Sequence, residues 1–406
     1  MDILLGGRMM LGPPDPRLAP GQARPPAPAL AATSVRAQLA GRRIAVCVGP
    51  GGVGKTTTAA ALALAGAVEG GRALVCTIDP ARRLANALGL TALGNVEARI
   101  PAARLEAAGL QAKGELWAMM LDVKRTWDDL VSRNAPDPAR RDRILGNRLY
   151  QQMSSALAGS QEYMAMEKLH ELAMERDYDL IVLDTPPTAH ALDFLDAPNR
   201  ILDFLGNDAA RAFLAPALGA GRFGLRLAQL SGAYAARMLA RFTGQQALAD
   251  LGEFLQSFQG MYDGFKTRAA AVRALLGRPE VGFVLVTAPN ELAIAEVLAF
   301  QERLAAERMP VAGLVVNRLT PDLWTGDAPL PAPAELAAVL PGTALDRDRL
   351  PALLAAGLAE HQDLVRGERA ALAPVLARVV GACAMVPRLE TDVHDLAGLA
   401  RLSAWL

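Results

Sequence analysis

The sequence predicts an α/β fold: a doubly wound, mostly parallel P-loop NTPase sheet with an inserted helical subdomain. Three observations point there. From Arg43 onward, short apolar runs recur without polar alternation, as strands buried on both faces require. Helical stretches separate these runs, the pattern of a sheet wound in both directions. The first run leads at once into Gly49-Pro50-Gly51-Gly52-Val53-Gly54-Lys55-Thr56, which satisfies the spacing G-x-x-x-x-G-K-[ST].

Taken in order, Ile44–Val48 reads as the first strand and Lys55 to about Glu69 as an Ala/Leu-rich helix. Ala73–Asp79 follows Gly70-Gly71 as a second strand. Later strands are expected at Leu116–Asp122, Leu180–Asp184, Val281–Thr287 and Val311–Asn317, with a weaker run at Cys383–Val386. Two long intervening stretches, about 123–176 and 188–277, look helical and are read as insertions into one domain spanning 34–406. The second holds eight of the ten phenylalanines, and Phe254, Phe258, Met261, Tyr262 and Phe265 recur at helical spacing. Such a stripe is most often core between helices; the alternative is a groove for an apolar client helix. Residues Met1–Thr33 carry seven of the 27 prolines and no sustained apolar core, so they read as a disordered tail outside the fold.

Composition narrows the classes. With 42 basic and 42 acidic residues the net charge is zero, so nothing draws the whole molecule onto nucleic acid or an anionic membrane. Apolar stretches such as Ala59–Val68 fall short of the roughly 20 residues that span a bilayer, which argues against stable membrane insertion. The three cysteines, Cys47, Cys76 and Cys383, lie in separate apolar runs, and His170, His190, His361 and His394 are scattered. No C-x-x-C spacing occurs, so no zinc is expected and the setting reads as the reducing cytoplasm.

The glycine loop carries the chemistry. Gly49, Gly51, Gly52 and Gly54 let the backbone curl so that the amides, Val53 included, face phosphate oxygens at the positive end of a helix. Lys55 supplies a cation for the β- and γ-phosphates, Thr56 a hydroxyl for Mg²⁺, and Thr57 a hydrogen bond to the α-phosphate. The same stretch also reads Gly49-x-Gly51-x-x-Gly54, a dinucleotide fingerprint with Asp79 about 25 residues on. Lys55-Thr56-Thr57-Thr58 argues against that reading, because a dinucleotide helix packs small apolar residues there. Asp79 also runs into a second loop, Pro80-Ala81-Arg82-Arg83, rather than standing as a bare ribose ligand.

Asp79 and Asp184 each close a strand, where ligands of an open α/β sheet gather. With the loop they make the set that Mg²⁺ and an attacking water need; a lone strand-end Asp would otherwise be a turn or cap. The late Asn317-Arg318-Leu319-Thr320 lacks the aspartate of a guanine element, so ATP is the preferred nucleotide.

These motifs resemble the ArsA-type ATPases, which include the arsenite-pump ATPase and the guided-entry factor for tail-anchored membrane proteins. The resemblance runs from about Arg43 to the C-terminus. It rests on Gly49–Thr57, Asp79-Pro80-Ala81 with Leu84, Leu116-Trp117-Ala118-Met119 and Gly159–Glu162. Its most specific part is Asp184-Thr185-Pro186-Pro187-Thr188-Ala189-His190-Ala191-Leu192, close to the family's DTAPTGHTL. The resemblance implies that Asp79 orients or deprotonates the attacking water and that Asp184 supports Mg²⁺ through a water. Thr56, Asp79 and Asp184 form the metal set, Asn317 would bond adenine, and His190 matches the signature histidine. It also implies a dimer.

The chain departs from the family at Pro50, where a lysine usually reaches across to the partner's phosphates. Proline has neither charge nor N–H to replace it. Arg82 or Arg83 could supply the charge, or a lysine-bearing paralogue could pair with this chain in a heterodimer instead of a homodimer. Two readings follow: an autonomous ATP hydrolase, or an ATP-binding regulatory subunit. The zinc and arsenite cysteines of the family are absent.

Overall fold

The computed structural model describes residues 34–78, 83–90, 93–148, 150–151, 154, 160–185, 196, 262–323, 349–379 and 381–406. Its centre is one sheet of β1 (Ile44–Val48), β2 (Arg72–Thr77), β3 (Ala98–Arg99), β4 (Glu115–Met120), β5 (Leu180–Asp184), β6 (Val281–Thr287), β7 (Val311–Leu319) and β8 (Ala382–Pro387). The strand order is β3-β4-β2-β5-β1-β6-β7-β8. All neighbours are parallel except β3, which runs antiparallel to β4.

Each strand divides its side chains between two cores, as the two-residue period of a strand dictates. Ile44, Val46 and Val48 of β1 point to one face, and Ala45 and Cys47 to the other. The first face packs under α5 (Val123–Asn134), α6 (Pro138–Gly146), α7 (Ser160–Glu175), α8 (Tyr262–Leu276), α9 (Glu291–Ala306) and α10 (Leu350–Leu376). The second packs under α1 (Val35–Leu39), α2 (Lys55–Glu69), α3 (Arg83–Ala87), α4 (Ala102–Ala107) and α11 (Leu396–Ser403). Burial on both sides is why the strands read as unbroken apolar runs, and the α/β class stands as the sequence implies.

The element ends follow from local chemistry. Helix α2 stops at Gly70, whose φ of 117° is open to glycine at little cost and whose N–H closes on Ala67 and Gly66 carbonyls. Asp122, expected at the end of β4, instead accepts the Arg125 N–H at 3.0 Å and caps α5, so β4 ends at Met120. Between α5 and α6, Ala135 precedes Pro136 in an extended conformation and Asp137 caps the next helix. Strand β2 covers Arg72–Thr77 rather than Ala73–Asp79, and β7 runs on to Leu319, past a register shift against β8. The sequence reading missed β3, because two residues carry no periodicity.

Within the first helical stretch, α5 and α7 pack together through Trp127, Leu130, Tyr163 and Met166, all buried on the sheet. Helix α8 adds Ala269, Val272, Leu275 and Leu276 to that core. Phe254, Phe258 and Met261 lie outside the described residues, as do the side chains of Tyr262 and Phe265 and the tail 1–33. Among the described residues, no helix is long and apolar enough to cross a membrane.

Phe283 on β6 is fully buried and meets Phe300 of α9 edge-on, with ring centroids 6.4 Å apart. Phe283→Ala should therefore cost about 3–5 kcal/mol. A urea midpoint that drops accordingly with the m-value unchanged checks it.

Candidate functional site

Six residues, Gly49–Gly54, carry the chain from the end of β1 into α2. So tight a return needs glycine at two places for different reasons. A Cβ on Gly49 would sit 2.0 Å from the Val286 carbonyl oxygen, so the loop can leave β1 only by lying against β6. Gly54, with φ 99°, takes a left-handed conformation at the N-cap of α2, and a Cβ there would come 2.2 Å from Asn317 Nδ2. Val53 is buried and anchors the loop in the core beneath α2, while Gly51 and Gly52 are exposed at its tip.

Lys55 opens α2 and is 5% exposed. A buried ammonium is costly unless its protons are matched, and here Nζ donates to the Gly49 and Pro50 carbonyls, each at 2.9 Å. The cation is thereby held inside the curl of the loop, beside the positive end of the helix. Pro50 itself is buried.

The carboxylate stands opposite. Asp184 is the last residue of β5, fully buried, and β5 lies between β1 and β2 with Cys47 and Thr77 as its register partners. Thr56 Oγ1, from the first turn of α2, donates to Asp184 Oδ2 at 2.6 Å. Thr77 Oγ1, from the end of β2, donates to the same oxygen at 2.7 Å. Thr185 then fixes the exit of β5 by donating its hydroxyl to the Cys47 carbonyl at 2.8 Å. An all-oxygen set of Thr56 and Asp184 next to a phosphate cradle has the hard-ligand chemistry that Mg²⁺ takes. Thr57 is half-buried on the same first turn.

Asn317 reaches the loop from β7. Its Nδ2 donates to the Val53 carbonyl at 2.8 Å, and its Oδ1 accepts the Arg318 N–H at 2.9 Å. Lys55, Thr56, Asp184 and Asn317 therefore surround one loop at the carboxyl ends of β1, β5 and β7. Asp79, Arg82 and His190 lie outside the described residues; Arg83 begins α3, but its side chain is not described. Thr77 escaped the sequence reading. Its signal was there: it falls at the same height as Asp184 once β2 and β5 are aligned by their apolar runs.

The cysteines contribute no soft ligand set within the described residues. Burial, and then the Asp184 carboxylate, push the Cys47 thiol far up, with Lys55 acting the other way. Burial raises Cys76 and Cys383 to about 12 each.

Comparison with known proteins bears on this arrangement. Residues 42–328 match the model of a family described as anion-transporting ATPase. An uncharacterized protein of Streptomyces coelicolor is 34% identical over 186 residues, 44% of each chain. ATPase GET3 of Malassezia globosa is 30% identical over 153 residues, 38% of this chain and 41% of its own. ATPase GET3C of Arabidopsis thaliana is 27% identical over 281 residues, 67% of this chain and 66% of its own. The matches thus span less than half the length of the first two relatives and about two thirds of the third.

Raised thiol pKa values have a direct consequence: the reactive thiolate is scarce at mildly alkaline pH and appears only as pH approaches the shifted value. At about pH 8 Cys47 and Cys76, both buried, should not react with Ellman's reagent within minutes in the native protein, and both should in denaturant. A fast-reacting native thiol at either position would contradict that burial.

Proposed function

This chain belongs to the anion-transporting ATPase family, and on that premise we propose that it binds Mg-ATP and hydrolyses it to ADP and phosphate. The observation that carries the reading is the meeting of Thr56 and Asp184 at 2.6 Å beside the buried Lys55. In this reading the amides of Gly49, Gly51, Gly52, Val53 and Gly54, with Thr57, cradle the phosphates. Lys55 exchanges its loop carbonyls for β- and γ-phosphate oxygens, bringing its charge to where negative charge develops. Thr56 and Asp184 would hold Mg²⁺. Mg²⁺ would supply charge neutralisation on the phosphates.

Asp79 completes the set by orienting the attacking water and accepting its proton. The water oxygen forms a bond to the γ-phosphorus as the bond to the β-phosphate oxygen breaks, and ADP leaves. Asn317 bonds adenine with the N–H and lone pair that its protein contacts leave over. The nucleotide cycle would drive rearrangement of a dimer and of the helical insertions, about 123–176 and 188–277. An apolar client helix is the candidate cargo, suggested by the Phe-rich composition of the second insertion. The cytoplasm suits three unpaired cysteines.

Pro50 favours a second reading. It is buried, uncharged, and its carbonyl accepts from Lys55 within the same loop. Such a residue offers nothing to a neighbouring protomer's phosphates. The chain could then be a regulatory subunit that binds ATP and pairs with a lysine-bearing paralogue.

Phosphate release separates the readings. Lys55→Ala should lower Mg-dependent turnover by about 100-fold or more, and full activity in that variant would sink the assigned site. Asp79→Asn should keep ATP bound while hydrolysis stops. Saturable ATP binding without turnover in the wild type, relieved by adding the paralogue, would select the regulatory reading.

A further inference from the structure

Among the described residues, side-chain bonds to the phosphate loop come from two directions. One is internal, from Lys55 Nζ to the Gly49 and Pro50 carbonyls. The other comes from outside the loop: Asn317 Nδ2, on β7, takes the Val53 carbonyl at 2.8 Å. We infer that Asn317 is a positioning residue that sets phosphate affinity, by fixing the Val53–Gly54 peptide from the side of the fold where the base would lie. The inference rests on the triphosphate reading above and adds a duty to Asn317 that base recognition does not require.

Peptide geometry gives the reason. In a trans peptide the C=O and the following N–H lie in one plane and point in opposite directions. Holding Val53 O toward β7 therefore turns Gly54 N–H away from β7. The flanking residue is a left-handed glycine with φ 99°, a conformation from which the chain could readily rotate if nothing held it. A rotated peptide would present an oxygen where a phosphate needs a donor, which turns an attraction into a repulsion. The fit is close, since even a Cβ on Gly54 would come 2.2 Å from Asn317 Nδ2.

The post itself is rigid. Asn317 is 8% exposed, and its Oδ1 is engaged by the Arg318 N–H at 2.9 Å, with Arg318 turned to φ 62°. Just beyond, Glu368 of α10 takes the Thr320 N–H at 2.8 Å and its hydroxyl at 2.7 Å. An amide anchored on both sides in this way cannot follow the loop, so the loop is held to the amide. The same strand end thus bears on both the base and the phosphates.

Inorganic tripolyphosphate tests this, because it offers phosphates without a base. Asn317→Asp keeps size and the contact to Arg318 but puts an oxygen against the Val53 carbonyl, while Asn317→Ala removes the post. Titration of each purified variant should show affinity for tripolyphosphate falling about tenfold, and affinity for ATP falling by at least as much. The unliganded melting temperature of Asn317→Asp should stay within a few degrees of wild type. Loss of ATP affinity with tripolyphosphate unchanged would make Asn317 a base reader only and overturn the inference. Unchanged affinity for both ligands would overturn it as well. Wild-type protein that binds neither ligand would instead remove the triphosphate reading on which the inference stands.

Discussion

A carboxylate shut away from water is costly unless donors surround it, and Asp184 is fully buried. Much of the architecture can be traced to meeting that requirement. Thr77 and Thr56 can both reach Asp184 Oδ2 because β5 lies beside β2 and also beside β1, the strand that feeds α2. A sheet in which β1 and β2 were direct neighbours would separate these partners. The parallel order with β5 inserted between them brings a strand end and a helix start to one oxygen. Side chains on both faces of the sheet then hold that height in register, with Cys47, Asp184 and Thr77 aligned across three strands.

The loop is a second solution to the same difficulty with the opposite sign. Lys55 is 5% exposed and donates to two carbonyls within the loop. Those bonds are replaceable: an anion entering the curl offers better acceptors than neutral carbonyls do. The resting contacts thus keep the cation placed without making it unavailable. Val53, buried in the core beneath α2, keeps the loop from lifting away as a whole, so adjustment is confined to the exposed tip at Gly51 and Gly52.

Sequence carried the fold well where burial is two-sided. Ile44–Val48, Leu180–Asp184 and Val281–Thr287 coincide with β1, β5 and β6, because no polar alternation blurs a strand covered on both faces. It failed at β3, whose two residues owe their conformation to β4 rather than to themselves. It also overran β4, since Asp122 looks like a strand end until its side chain is seen to cap α5. At the site, Lys55 and Thr56 were legible because their spacing within the glycine loop is local, and Asp184 because it closes an apolar run. The Asn317 contact with Val53 joins residues 264 positions apart, and the Thr77 contact with Asp184 spans 107. The first leaves no trace in a single sequence, and the second shows only once β2 and β5 are laid side by side. Asp79, His190 and the phenylalanines of the second insertion up to Phe258 lie outside the described residues.

The small strand β3 has a meaning of another kind. Open sheet edges invite strands from other molecules, and folds that avoid fibrous association cover or shorten them. Here the chain from Gly94 to Ile100 runs along β4, with Met120 N–H on the Gly94 carbonyl at 3.0 Å and Ile100 N–H on the Leu116 carbonyl at 2.8 Å. Ala98 and Arg99 fill the register between them against Ala118 and Trp117. The outer backbone of β4 is thus engaged along most of its length by its own chain. The edge that remains, the two residues of β3, leaves a second copy little strand along which to extend the sheet. What that border offers to its surroundings is therefore side chains rather than a free strand.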